Sequence, residues 1–241
     1  RAFKAFHRNT FRAQLSVLFS YAVERGWCLA NPVVKVKKVK AIPPIRILTP
    51  EQFAKVLESA SDETLPYWLI GGFAGLRRAE IERLEWKDIR FDSGLVEVPA
   101  LKAKTASRRF VKIQPNLAAW LEPYKVRTGK VCPPNLRKLL ETDRINAGWW
   151  TAKAGVAITP GQEIDRTQIK LKPWPSNGLR HSFASYHLEH FGDAARLALE
   201  LGHTDQELLF RHYRELVTPE AAEKYWKIRP AKQSNLIALS A

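Results

Sequence analysis

A mostly helical chain with a small antiparallel β-sheet (an α+β fold) is the class this sequence predicts, and three observations carry it. Apolar residues recur at helical spacing through most of the 241 residues. Residues that start and stop helices punctuate those stretches. Only two short runs, near residues 95 and 110, read as strands.

The elements follow in order. Residues 10–25 place Phe11, Leu15, Leu18, Phe19 and Ala22 at helical spacing, and Gly26 ends that helix. Asn31-Pro32 opens an extended segment, because a residue before proline avoids the α region. The run from Lys35 to Lys40 then enters Ile42-Pro-Pro-Ile45, a stiff and basic connector. One helix cannot bury its apolar stripe alone. Residues 1–45 therefore read as the end of a helical domain plus its linker. Methionine is absent even at position 1, so a fragment of a longer chain is expected.

Thr49-Pro50-Glu51-Gln52 supplies an N-cap, a first-turn proline and a capping-box glutamine ahead of Phe53, Val56, Leu57 and Ala60. Further helices are expected over 65–74 and 78–86. A turn at Asp92-Ser93-Gly94 precedes strands holding Leu95, Val96, Val98 and then Phe110, Val111, Ile113. The basic segment from Lys102 to Arg109 lies between them. Helices over 115–126 and 134–147 come next, then an irregular excursion over 151–175. Four helices close the region, at 177–190, 193–201, 205–216 and 218–227, with Asp193, Asp205 and Thr218 as caps. A second, larger region over 46–228 and a tail over 229–241 complete the expected organisation.

Composition narrows the function. Hydrophobic residues are 45% and charged residues 26%, the balance of a folded chain. The longest apolar stretch, Tyr67 to Leu76, is about half of a membrane span. No charged-then-apolar leader opens the chain, and Cys28 and Cys132 make neither a disulfide framework nor a metal motif. A cytoplasmic protein without membrane partners is expected. The net charge is +15, and residues 1–46 hold +9 of it. Such a surplus suits a polyanion, although a solvated basic surface would look the same. Arg12, Lys35, Lys37, Lys38, Lys40, Lys102 and Arg108 are the candidate DNA contacts.

No nucleotide-binding loop, H-E-x-x-H, C-x-x-C or G-x-S-x-G occurs. Asp92, Asp143 and Asp165 could form a two-metal nuclease site, but turn and cap roles account for such residues. No metal or cofactor is expected. What remains is a set of cations and one phenol. Arg77 follows two small residues, with Glu80 on the same helical face able to hold it. Lys104 sits at the hairpin tip, Arg180 opens a helix, His203 follows a glycine turn, and Tyr213 lies ten residues further on. Fixed cations stabilise the charge of a phosphoryl-transfer transition state without a metal, and a tyrosine can form a covalent intermediate.

In that order, Gly75-Leu76-Arg77-x-x-Glu80, Lys104, Leu179-Arg180-His181-Ser182-Phe183-Ala184, Leu201-Gly202-His203 and Tyr213 resemble the tyrosine recombinases, the phage-integrase family. The resemblance spans about 46–228, and residues 1–40 are similar to the end of that family's core-binding domain. It implies that Arg77, Arg180 and His203 clamp a scissile phosphate and that Tyr213 attacks it to leave a 3′-phosphotyrosyl link. Lys104 would protonate the departing 5′-oxygen. It further implies double-stranded DNA as partner and a homotetramer on DNA. A monomer when free and accessory DNA-bending proteins are compatible with it. The tail from Arg229 resembles the family's C-terminal segment that docks on a neighbouring protomer, with packing on its own domain or disorder as the alternatives.

One position departs from the pattern. Asn177 stands three residues before Arg180, where the family usually has histidine or lysine. An amide donates a hydrogen bond but does not shuttle a proton, so Lys172 or His181 are candidates to take that role. His181 also reads as a buried structural residue, and Tyr186 and Tyr225 read as packed. A mobile-element integrase is the expected function. A Xer-type chromosome-dimer resolvase and a catalytically decayed DNA-binding protein are the alternatives.

Overall fold

The computed structural model describes residues 5–39, 45–101, 108–158, 164–202 and 217–230. The chain divides into two compact units, Arg1–Pro44 and Ile45–Ala241. Among the described residues, no helix is long and apolar enough to cross a membrane.

In the first unit, α1 (Ala5–Glu24) starts five residues before its predicted boundary. Phe11, Leu15 and Leu18 are exposed, and Val33 is the one buried apolar side chain among the described residues of this unit. The following segment is not a plain extended connector. Asn31 accepts from the Val33 amide to start a 3₁₀ turn over Pro32–Lys35, and its amide donates to the Ser16 carbonyl at 2.9 Å. Asn9 exchanges two 2.9 Å hydrogen bonds with the Val39 backbone, and Arg12 donates to the Val36 carbonyl. Residues 31–39 are thus strapped along α1, because side-chain amides satisfy a backbone that has no ladder of its own.

The second unit is helical around one apolar core. Helix α2 (Pro50–Ser59) begins with the expected capping box, Thr49 and Gln52 each bonding the other's amide. It packs with α3 (Leu65–Phe73) and α9 (Pro219–Trp226), and both of these pack in turn on α7 (Gly178–Phe191). Phe53, Phe73, Tyr186 and Tyr225 meet at the centre, with the two tyrosine rings stacked 4.0 Å apart.

Helix α4 (Arg78–Ile81) is a single turn and stops well short of Trp86. The chain leaves it because residues 84–86 pair elsewhere: the Val131 amide donates to the Leu84 carbonyl and the Trp86 amide to the Gly129 carbonyl. A three-stranded antiparallel sheet follows, with β1 (Ile89–Arg90), β2 (Leu95–Val98) and β3 (Arg109–Lys112) in that order. On β3 Arg109 and Val111 are buried while Phe110 and Lys112 face out, so the strand's first two positions invert the usual placing of charged and apolar residues. Phe110 lies beneath the guanidiniums of Arg90 and Arg108.

Helices α5 (Pro115–Leu121) and α6 (Leu136–Asn146) come next. The expected irregular stretch instead contains a second antiparallel pair, β4 (Trp150–Ala152) with β5 (Ile169–Leu171). Beside it Trp174 packs against Trp149 and Trp68. Helix α8 (Ala194–Leu201), capped by Asp193, lies against β3. The helix expected over 205–216 and most of the tail fall outside the described residues.

Candidate functional site

The chain leaves α3 through Ala74-Gly75-Leu76, all buried, and Arg77 emerges half-buried just ahead of α4. Gly75 has φ +65°, and a Cβ there would lie 2.3 Å from the Phe183 ring. Only glycine fits both demands. Glu80 then orients Arg77 twice over, accepting from the Arg77 amide at 2.8 Å and from its guanidinium at 3.1 Å.

Glu80 is 1% exposed and carries a second, larger partner. Arg109, itself buried, forks onto both carboxylate oxygens at 3.1 and 2.6 Å. Burial opposes ionisation of Glu80, but the Arg109 hydrogen bonds, the Arg77 amide and the two positive charges outweigh it, pulling its pKa from 4.5 to about 2. Arg109 also donates through Nε to the Glu200 carbonyl at 2.8 Å.

Arg180, on the first turn of α7, is buried and bonds the same two segments. Its guanidinium donates to the Gly75 carbonyl at 2.8 Å and to the Leu201 carbonyl at 2.6 Å. Beyond Leu201 the helix ends at Gly202, φ +63°, the residue before His203 in the sequence. Two buried guanidiniums therefore hold the loop carrying Arg77 against the end of α8.

Arg77 and Arg180 line one cavity of about 440 Å³, together with Arg78, Arg137, Arg144 and Asn177. No carboxylate lines it among the described residues. Tyr67, Trp68 and Trp174 supply aromatic wall, and the Arg144 guanidinium lies 5.7 Å from the Trp174 ring centre. Burial lowers the Arg144 pKa from its ordinary value. Five guanidiniums around a space of this size, with apolar walls to sharpen their field, form a site for an anion with several oxygens.

Asn177 is exposed at the N-cap of α7 with φ +52° and lines the cavity. Neither Lys172, which is exposed, nor His181 is part of its lining. His181 is half-buried rather than buried as expected. Lys104, His203 and Tyr213 lie outside the described residues, as do Lys40 and Lys102. Lys35, Lys37 and Lys38 are exposed. Arg12 is half-buried on Val36, and Arg108 is exposed but paired with Glu97 at 2.6 Å.

The other phenols of this unit are occupied in packing. The Tyr186 hydroxyl donates to the Leu48 carbonyl and the Tyr225 hydroxyl to the Gly72 carbonyl. Burial raises the pKa of Tyr186 to about 12 and holds that of Tyr225 well above the ordinary phenol value. Tyr67 touches the cavity but is also pushed by burial to about 12. The three acids considered for metal are spread over separate tasks. Asp143 is buried and accepts from the Trp68 indole at 2.8 Å, Asp165 holds Thr167, and Asp92 sits in the β1–β2 turn. Among the described residues, no three His, Cys, Asp or Glu side chains gather as metal ligands would.

Sequence reasoning missed Arg109, Arg137 and Arg144. The i, i+7 spacing of Arg137 and Arg144 on α6 was a readable signal, since it places both on one helix face. For Arg109 there was none, because an arginine in a short strand next to a basic hairpin reads as exposed.

Residues 47–218 match the phage integrase family, so the chain belongs to that family. It is 27% identical to the tyrosine recombinase XerC of Xanthomonas axonopodis pv. citri (strain 306), over 78% of this chain and 60% of that protein. It is 23% identical to the prophage integrase IntR of Escherichia coli (strain K12), over 85% of this chain and 56% of that protein. The chain thus spans less than two thirds of the length of these relatives. Its fold is similar to that of a lambda integrase (75–356) dimer bound to a COC′ core site, with a TM-score of 0.63 at 15% identity, covering 89% of this chain and 76% of that one. A Tn1549 transposon integrase in complex with a circular intermediate DNA gives a TM-score of 0.55 at 16% identity, over 89% of this chain and 76% of that one.

Proposed function

We propose that this chain is the cutting and rejoining part of a site-specific DNA recombinase that works through a covalent 3′-phosphotyrosyl intermediate. One observation carries the reading: Arg77 and Arg180 line a single cavity free of carboxylates among the described residues. That cavity suits a phosphodiester whose negative charge grows in the transition state.

In this reading Arg77 and Arg180 bind the non-bridging oxygens of the scissile phosphate, and His203 joins them from the turn after α8. The Tyr213 oxygen attacks phosphorus, the bond to the 5′-oxygen breaks, and Lys104 delivers a proton to that oxygen. A 5′-hydroxyl from a partner strand reverses the step at a new junction, so the energy of the broken bond is conserved in the phosphotyrosyl ester and neither ATP nor metal is needed. Asn177 supplies an amide donor to the phosphate where the family more often has imidazole. Residues 1–45 are the end of a core-binding domain and its linker, 46–228 the catalytic domain, and 229–241 a tail that docks on a neighbour. The assembly is a homotetramer on two duplexes in the cytoplasm, and the role is that of a mobile-element integrase.

The test is to incubate the protein with a library of nicked suicide duplexes in EDTA and to sequence DNA recovered from SDS-stable adducts. A recombinase gives adducts that vanish in Tyr213→Phe and persist in Tyr186→Phe. A shift in DNA mobility with no SDS-stable adduct would instead mark a binding protein that has lost catalysis. Cleavage only with added metal would overturn the mechanism.

A further inference from the structure

We infer that Arg109 is a positioning residue that keeps the positive charge of Arg77 available to a phosphate, by taking up the charge of the carboxylate that orients it. The inference rests on the reading that Arg77 meets a DNA phosphate.

The geometry poses an electrostatic problem. Glu80 aligns Arg77 through one guanidinium bond and one amide bond, and it is 1% exposed, so water does little to screen it. A buried carboxylate paired with Arg77 alone would form a neutral couple, and an incoming anion would meet little net field. Arg109 changes the count. It contributes two of the three guanidinium bonds that Glu80 accepts, the shorter at 2.6 Å, and is buried itself. The Arg77–Glu80–Arg109 group therefore carries a net single positive charge. Its exposed end is Arg77, which reaches the cavity, while Arg109 stays behind and does not line it.

Arg109 also occupies a junction. It begins β3, immediately after the segment that bears Lys104, and its Nε holds the Glu200 carbonyl near the end of α8. One side chain thus touches the Arg77 loop and the α8 terminus and anchors the base of the hairpin. A Cβ at Gly202 would lie 3.2 Å from its Cδ, so the glycine after α8 sits against the arginine stem.

Charge compensation separates this role from plain scaffolding. In single-turnover adduct formation, Arg109→Gln should lower the rate by about 100-fold, the scale seen when one stabilising group of a transition state is lost. Arg109→Lys should recover part of it. The double variant Glu80→Gln with Arg109→Gln, whose Arg77 again carries an unneutralised charge, should be at least tenfold faster than Arg109→Gln alone. Folding is checked by thermal melts, and the Lys variant retains charge if the Gln variant unfolds. A double variant no faster than Arg109→Gln, or an Arg109→Gln rate equal to wild type, overturns the inference.

A second readout does not depend on cleavage. Binding to a random-sequence duplex across a salt series should lose similar steepness in Arg77→Gln and Arg109→Gln and regain it in the double variant. If wild type binds this way but forms no adduct, the recombinase reading fails while the inference stands. If neither single variant alters the slope, the inference fails.

Discussion

Arg180 reaches across 21 residues of sequence to donate to the Leu201 carbonyl at 2.6 Å, and its other terminal nitrogen holds Gly75. A proposed phosphate ligand is therefore also a structural tie. Arg180→Ala should lose about 2–5 kcal/mol in urea unfolding, because two charge-assisted bonds go and two carbonyls are left unpaired. Arg180→Lys should keep more of that stability yet still abolish adducts, since an ammonium cannot reproduce the fork. Equal adduct yield from the Lys variant would show that only the charge matters.

Gly75 offers a test of the loop itself. Gly75→Ala adds a methyl group at φ +65° against Phe183 at 2.3 Å, and should cost about 2–4 kcal/mol from strain and overpacking together. Pairing it with Phe183→Leu should recover part of the packing loss but none of the backbone strain. Thermal melts of Gly75→Ala, Phe183→Leu and the pair measure both parts.

Glu80 sets an acid limit. Its pKa is about 2 in the folded chain against an ordinary 4.5, so the native state holds its proton less readily than the unfolded state. The associated stability is fully present above about pH 4.5 and is lost as pH falls toward 2, on the order of 3 kcal/mol in all. Urea midpoints taken from pH 6 down to the lowest accessible pH should fall less steeply in Glu80→Gln than in wild type. Parallel curves would refute the ion group as the origin.

Arg137 and Arg144 should contribute to polyanion binding without belonging to the reacting group. Replacing each by Ala should make the salt dependence of duplex binding shallower by about 0.9 per lost phosphate contact. Lys125→Ala, which removes an ammonium paired with Glu122 outside the cavity, should leave that slope unchanged. An identical slope in Arg137→Ala, Arg144→Ala and wild type would show that α6 takes no part in duplex binding.

What the sequence made legible was local. The capping box of Thr49 and Gln52 needs only four adjacent residues, and the structure has it where it was read. Arg77, Glu80 and Arg180 were recognisable from short motifs, and the first two meet at helical spacing. The failures are nonlocal. The end of α4 depends on residues 129–131, and β4 finds β5 across a long connection, so neither leaves a periodic trace in its own segment. Arg109 reads as a solvent-facing cation, and only the distant carboxylate of Glu80 makes its burial tolerable. Asn177 departs from the family pattern in the sequence itself, but its left-handed backbone at the start of α7 is visible only in three dimensions.

Five guanidiniums line the cavity, those of Arg77 and Arg78 paired with the carboxylates of Glu80 and Glu82, and this has a thermodynamic corollary. Like charges held around a small space repel, so the free protein sits at higher energy there than its packing alone would give. Any bound polyanion relieves that repulsion, and occupancy and resistance to unfolding must then rise together. Heparin or short duplexes should raise the melting temperature, and the free chain should be softest in the place where it has to grip.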